Sequence, residues 1–290
     1  MEFDKEFCQE EERCGYVVPT EMKKIWSVQL DLLARFQEVC KQHNLRYFAA
    51  GGTLLGAIRH KGYIPWDDDV DVVMLREDYD KLLQIAPTAF AEPYFFQTSY
   101  NDKKYSRGIA QLRNSNTTGI LMSEKGKFPF NQGIFIDIFP LDALPDDPKK
   151  RAAQVKKIRF WNKMLAMTVR YPGSVNKSPL KGLLHALTGW LPYRFLHKRM
   201  DAACSMYKGQ RTKDVGAVSF IPDDPREVYP THCFDEVLTV PFEQTTIDIP
   251  AGYDEILTIL YGDYMVMKKE NSYHGGVLFD TERSYKDYIR

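Results

Sequence analysis

Four carboxylates fall within five residues at Asp67-Asp68-Asp69-Val70-Asp71. The chemistry that such a run suggests most directly is the binding of a divalent cation. Residues two apart in an extended strand point the same way. Asp69 and Asp71 therefore share one face, while Val70 and Val72 point into the core. Carboxylates that close repel, and each raises the other's pKa. A cation removes that penalty, and hard oxygen ligands at this spacing suit Mg²⁺ or Mn²⁺. A solvated acidic loop is the competing explanation. It fits poorly, because Trp66 precedes the acids and Val70, Val72, Val73 and Met74 bury the strand that carries them. An EF-hand fails as well, since its glycine and distal glutamate are absent.

Phosphoryl transfer usually needs a further carboxylate, and Phe135-Ile136-Asp137-Ile138-Phe139 offers one. A single acid in an apolar strand is costly to bury alone. That cost falls if a neighbouring strand brings it to the same cation, where it could also accept the proton of an attacking hydroxyl. The alternative is a strand-end acid bonded to backbone amides. Gly51-Gly52-Thr53 follows an apolar run and opens a helix. Glycines there let the backbone approach a phosphate, and a helix N-terminus offers free N–H groups to an anion. Gly-Gly also marks plain turns. Arg59, His60 and Lys61 lie between this helix and the aspartates. They could neutralise a leaving phosphate or be solvated turn residues. Arg113, inside a strand, is the better candidate for a held cation.

The elements that must position these groups follow from periodicity. A helix is expected over 20–43, capped by Thr20 and stopped at Asn44. A strand follows over 45–50, a helix over 53–59, a strand over 69–75 and a helix over 76–86. Further strands are expected at 94–98, 109–113 and 133–139. This order is that of a mixed α/β sheet with helices packed against it. Pro140, Pro145 and Pro148 with Asp142, Asp146 and Asp147 read as a breaker-rich linker. Helices over 148–171 and 180–207 come next, the second broken or kinked at Pro192. Strands at 217–221, 236–240 and 245–249 and a last helix at 253–261 close the chain. The expected division is an N-terminal extension (1–19), a core (20–145), a basic helical region (146–215) and a C-terminal part that completes the domain (216–290).

Apolar content of 44% and charged content of 27% are those of an ordinary globular protein. No run of about 18 apolar residues exists to span a membrane, and the polar, acidic start is no signal peptide. Five scattered cysteines (Cys8, Cys14, Cys40, Cys204 and Cys233) include no Cys-x-x-Cys pair. Zinc and a disulfide framework are therefore not expected, and the compartment reads as reducing and cytoplasmic. The net charge of zero hides an asymmetry. Residues 149–213 hold 16 Lys and Arg against one acid, Asp201. That block suits a polyanionic partner or an anionic membrane surface at the inner face, or else a solvated helical face. Its apolar stripe (Leu183, Leu184, Leu187, Trp190 and Leu191) suits a core-packed helix or an interfacial one. No nucleic-acid partner is expected.

The run Gly51-Gly52-Thr53-Leu54-Leu55-Gly56-Ala57-Ile58-Arg59-His60, followed by Gly62-Tyr63-Ile64-Pro65-Trp66-Asp67-Asp68-Asp69-Val70-Asp71, resembles the signature of the LicD family. Those proteins are phosphocholine transferases related to fukutin-type ribitol-phosphate transferases. The segment 136–142, then Ile249-Pro250, Tyr253 and Tyr261-Gly262-Asp263-Tyr264-Met265, match as well, so the likeness spans about 20–274. It implies a nucleotidyltransferase fold related to the DNA polymerase β superfamily, with Gly51, Gly52 and Thr53 on the donor phosphates. Asp69 and Asp71 would be the metal pair and Asp137 the third carboxylate. Asp67 and Asp68 would bind through water or shape the turn.

The resemblance also implies CDP-choline as donor, used with the Mg²⁺ or Mn²⁺ that the acids suit. Phosphocholine would pass to a sugar hydroxyl of a surface glycan, a teichoic acid or lipopolysaccharide precursor, with CMP leaving. The zinc-binding cysteine loop of the fukutin-related branch is missing here, which favours the bacterial branch. A quaternary ammonium calls for an aromatic cage, for which Tyr63, Trp66, Tyr105 and Tyr273 are the candidates. Another CDP-linked alcohol phosphate could be the group transferred, and two other readings stand beside this one. The first is a true nucleotidyltransferase that releases pyrophosphate, and the second a non-catalytic polyanion binder on the same fold.

Overall fold

The most apolar strand of the sequence forms the middle of the sheet, as continuous burial on both faces requires. The computed structural model describes residues 6–102, 104–168, 192–220, 222, 224–267 and 276–289. The chain opens with a hairpin, β1 (Glu11–Arg13) and β2 (Tyr16–Val18), whose two-residue loop is Cys14-Gly15. Both loop residues have positive φ, the backbone of a tight hairpin turn. Helix α1 (Thr20–Gln42) follows, with Pro19 rather than Thr20 at its N-cap and Asn44 in the left-handed region beyond its end. Its buried Ile25, Trp26, Leu30, Leu32, Leu33, Phe36 and Val39 form the stripe that faces the sheet.

Strand β3 (Phe48–Ala49) is only two residues long. Then come α2 (Gly51–His60), β4 (Asp71–Leu75), α3 (Arg76–Ala89), β5 (Tyr94–Gln97), β6 (Ala110–Asn114), β7 (Thr118–Leu121) and β8 (Ile134–Leu144). Helices α4 (Pro148–Thr168) and α5 (Tyr193–Cys204) pack on each other. Strands β9 (Asp214–Gly216), β10 (Val228–Pro230), β11 (Val237–Phe242) and β12 (Thr245–Pro250), helix α6 (Tyr253–Tyr261) and β13 (Val277–Asp280) complete the chain.

The main sheet has seven strands and is mixed. β8 pairs in parallel with β4 on one side. On the other side it pairs antiparallel first with β6 and then, at its far end, with β9. β3, β5 and β10 extend the sheet beyond β4, β6 and β9. Helix α1 packs on β8 and β6, and α3 on β4 and β8. β13 pairs with β7, and β11 with β12, as two smaller ladders.

Several elements differ from the sequence expectation. The strand expected from Asp69 begins at Asp71, because the carbonyls of Asp67 and Asp68 are held by side chains of α1 instead of by a ladder. The linker expected around Pro140 and Asp142 is the second half of β8. Pro140 falls between the end of the β6 pairing at Ile138 and the start of the β9 pairing at Asp142, where no strand requires its missing N–H. Of the strand expected over 217–221, the described residues 217–220 form a turn, with the Phe220 N–H donating to the Ala217 carbonyl. Pro192 is the N-cap of α5, not a kink within a longer helix. The stripe from Leu183 to Leu191 lies outside the described residues.

A buried ionic network joins the helical region to the sheet. Arg76, at the start of α3 and 2% exposed, donates twice to Asp142 of β8 (2.7 and 2.8 Å) and once to Asp201 of α5 (2.9 Å). Asp201 also accepts from the Tyr100 hydroxyl at 2.8 Å. The single acid of the basic stretch is thus tied to a buried arginine of the sheet-packed α3.

Candidate active site

Two acids meet at the start of β4. Asp71 stands directly opposite Asp137 in the parallel β4–β8 ladder. The backbone locks that register, since the Asp137 N–H donates to the Val70 carbonyl at 2.9 Å. The Asp71 N–H donates to the Thr53 hydroxyl (2.9 Å), and the Asp71 carbonyl accepts from the Ala50 N–H (3.0 Å). Asp71 is therefore pinned from both α2 and β8. Its Oδ1 is sealed from solvent and has no hydrogen-bond partner. Burial, then the charges of Asp69, Asp137, Asp67 and Glu227, hold its carboxyl well above the usual range. Asp67, Asp68 and Asp69 each offer an oxygen, all within 4.8 Å of one another. An all-oxygen, mutually repelling donor set with a sealed, unpartnered oxygen fits a hard divalent cation.

The N-terminus of α2 abuts this cluster. Gly51 has φ +51°, and a Cβ there would stand 3.7 Å from Asp71 Oδ2. At Gly52 a Cβ would stand 2.7 Å from Asp67 Oδ2. The glycine pair thus brings free helix N–H groups and carboxylates to the same place, which is what an anionic donor bridged by a cation requires. Thr53 spends its hydroxyl on the Asp71 backbone. Arg59 and Lys61 lie at the other end of this ten-residue helix, about 12–15 Å away at the usual rise. There Arg59 donates to the Tyr264 carbonyl and to the His60 ring, both at 2.9 Å. Burial and the adjacent Arg59 lower the His60 pKa to about 4.

Asp137 is aimed by a buried polar chain. Gln111 Nε2 donates to Asp137 Oδ1 at 2.5 Å, and Gln111 Oε1 accepts from Arg113 (2.5 Å) and Arg107 (3.1 Å). Arg113 is 1% exposed and also donates to Gln97 and the Gly133 carbonyl. Burial and the nearby Arg107 lower its pKa to about 10. The structure therefore places Arg113 behind Gln111, where it orients the amide that holds Asp137. Gln111→Leu should strip Asp137 of its donor and lower kcat by about 10–100-fold, the usual effect of losing a supporting partner, with KM for the donor little changed. A kcat within twofold of wild type would count against Gln111 as a positioning residue.

The region that builds this site, residues 44–143, matches the family model described as "LicD/FKTN/FKRP, nucleotidyltransferase domain". Over 246 residues the chain is 30% identical to the lipopolysaccharide cholinephosphotransferase LicD of Haemophilus influenzae, covering 84% of this chain and 91% of that protein. The chain belongs to the LicD family. Two uncharacterized rickettsial proteins also match over shorter stretches. RP689 of Rickettsia prowazekii is 34% identical over 110 residues (38% of this chain, 39% of that one). RT0683 of Rickettsia typhi is 31% identical over 131 residues (45% and 38%).

Within this LicD-family site, sequence reasoning missed the residues that hold the acidic loop. Trp26 Nε1 donates to the Asp67 carbonyl at 2.9 Å, and Gln29 Nε2 to the Asp68 carbonyl at 2.7 Å. Trp26 was legible only as an apolar position of α1, and nothing in the sequence marked the polar Gln29. Tyr261, at the end of α6, was also missed as a site residue. Burial, then Asp67, Asp71, Glu227 and Asp69, raise its hydroxyl pKa, so it stands in the field of the acids. Glu227 adds a sixth carboxylate to the five already named, acting on Asp71, and burial raises its pKa too. Of the cage candidates, Tyr63 is buried and stacked on Trp26 (4.4 Å between centroids). Tyr105 is buried against Phe130. Both are core residues in this structure. Trp66 is half-buried with its edge towards Tyr16, and Tyr273 lies outside the described residues.

Proposed function

We propose that this protein transfers phosphocholine from CDP-choline to a sugar hydroxyl of a bacterial surface glycan, a lipopolysaccharide or teichoic acid precursor, and releases CMP. The observation that carries this reading is the in-register pair Asp71 and Asp137, with the sealed Asp71 Oδ1 beside the glycine-led N-terminus of α2. The named function of the Haemophilus relative supports the transferred group and the glycan acceptor. The match to a nucleotidyltransferase family model supports that fold for the core.

Asp69, Asp71 and Asp137 would hold the cation, with Asp67 and Asp68 close enough to join them. When bound, Mg²⁺ or Mn²⁺ supplies charge neutralisation on the donor phosphates and at the transition state. The N–H groups of Gly51, Gly52 and Thr53 face the diphosphate. Asp137, oriented by Gln111, accepts the proton of the attacking sugar hydroxyl. The hydroxyl oxygen attacks the choline-side phosphorus in line, the bond to the bridging oxygen breaks, and CMP departs.

A thermal-shift screen of CDP-choline, CDP-ribitol and CDP-glycerol, each with and without Mg²⁺, tests the donor. A ligand of the native state raises apparent stability by mass action. The largest Mg²⁺-dependent rise is expected with CDP-choline. A larger rise with CDP-ribitol or CDP-glycerol would replace choline as the transferred alcohol.

A further inference from the structure

A second cluster of ligating side chains lies outside the acidic site. His232 and Cys233 sit on the short 3-10 turn Thr231–Phe234, and Glu255 sits on the first turn of α6. His232 Nε2 is 3.0 Å from Glu255 Oε2, Cys233 Sγ is 3.5 Å from that oxygen, and Cys233 Sγ is 3.9 Å from His232 Nε2. Zinc bonds of about 2.0–2.1 Å to nitrogen and oxygen and 2.3 Å to sulfur set tetrahedral ligand–ligand edges of about 3.3–3.6 Å. The three observed edges bracket those values. Nitrogen, sulfur and oxygen together form a donor set suited to zinc rather than to magnesium.

The two elements are also held together closely. A Cβ at Gly252 would stand 2.6 Å from Cys233, so only glycine lets the start of α6 come this near. The Gly252 N–H donates to the Cys233 carbonyl at 3.1 Å. Cys233 is buried, while His232 and Glu255 are exposed by 67% and 49% of their side chains. His232 also lines a surface hollow of about 470 Å³ with Arg211, Lys213 and Asp235. Solvent therefore reaches the cluster, and a water can complete a fourth position.

We propose that His232, Cys233 and Glu255 bind a zinc-class transition ion at a site separate from the acidic cluster, clamping the 231–234 turn to the start of α6. Binding releases the Cys233 thiol proton. The far end of α6 carries Tyr261, so the clamp fixes the element that presents this residue to the acids. The sequence concealed the site because Glu255 lies 22 residues beyond Cys233 and no Cys-x-x-Cys spacing announces it.

Cobalt titration of the purified full-length protein tests this, because an all-oxygen aspartate site cannot give a thiolate-to-cobalt charge-transfer band. One equivalent of Co²⁺ should produce that band, and Zn²⁺ should bleach it. Cys233→Ser should remove it. His232→Ala, an exposed position, should weaken cobalt binding by more than about tenfold with unchanged circular dichroism, since even the loss of a supporting partner costs that much. Asp71→Asn should leave the band in place. Cys14→Ser should do the same, which excludes the Cys14–His60 pair, whose Sγ and Nδ1 lie 3.8 Å apart. Absence of the band, or a band that survives Cys233→Ser, would overturn the proposal.

Discussion

With Asp71 as a metal ligand, as proposed, Asp71→Asn should lower turnover of the proposed CDP-linked donor by on the order of 10²–10⁴-fold, because a lost metal ligand costs several kcal/mol of transition-state stabilisation. The same change should leave the fold intact and make the metal-free protein more stable near neutral pH. The Asp71 carboxyl pKa is raised in the folded state, by burial first and then by Asp69 and Asp137. A raised acid contributes stability only while it is protonated. That contribution is fully present below the unfolded value, about 3.9, and is lost as pH climbs from there through the folded value. Asparagine mimics the protonated acid at every pH and escapes the loss. In EDTA at neutral pH, Asp71→Asn should therefore melt above wild type, by about 2–4 °C for each kcal/mol recovered. Mg²⁺ should raise the melting temperature of wild type and leave that of the variant unchanged. A variant that is inactive but destabilised, with an undiminished Mg²⁺ response, would mark Asp71 as structural.

Arg76→Ala should have the largest effect on stability. Removing one partner of a buried ion pair leaves uncompensated charge and typically costs about 3–5 kcal/mol. Here Asp142, at 0% exposure, would be left buried with both guanidinium bonds gone, either unpaired or protonated at a cost, and Asp201 would lose its tie to the sheet. The melting temperature should fall by roughly 6–20 °C at about 2–4 °C per kcal/mol, or the protein should express as aggregates. Arg76→Met combined with Asp142→Leu should recover part of that loss, because the stranded charge is removed as well. A drop under about 2 °C for Arg76→Ala alone, measured by calorimetry, would contradict the network's role.

Much of the site was legible because its parts are local in sequence. The acidic run, the glycine pair and the lone acid of an apolar strand each carry their signal within a few residues. Strand β8 announced itself by continuous apolar character, and its meeting with Asp71 followed from asking what could share the burial cost of Asp137. What the sequence concealed is long-range. The hold of Trp26 and Gln29 on the acidic loop joins residues about 40 apart, and the Arg76–Asp201 pair spans 125. Asp142 read as a linker residue because Pro140 and Pro145 flank it, whereas its buried cation partner keeps it in the sheet. The start of β4 was misplaced by two residues for a similar reason, since the carbonyls of Asp67 and Asp68 are satisfied by side chains from another element. Arg113 was read as a cation held for the donor phosphate, whereas the structure buries it behind Gln111, a place that depends on pairing between β6 and β8 that no local pattern shows.

Product analysis after incubation with CDP-choline, Mg²⁺ and a lipopolysaccharide or teichoic acid precursor separates phosphocholine transfer from nucleotidyl transfer. One CMP should appear for each phosphocholine ester formed, with both products lost in EDTA and in Asp71→Asn. Release of pyrophosphate with a cytidylyl group on the product, or turnover that continues undiminished in EDTA, would contradict the proposed transfer.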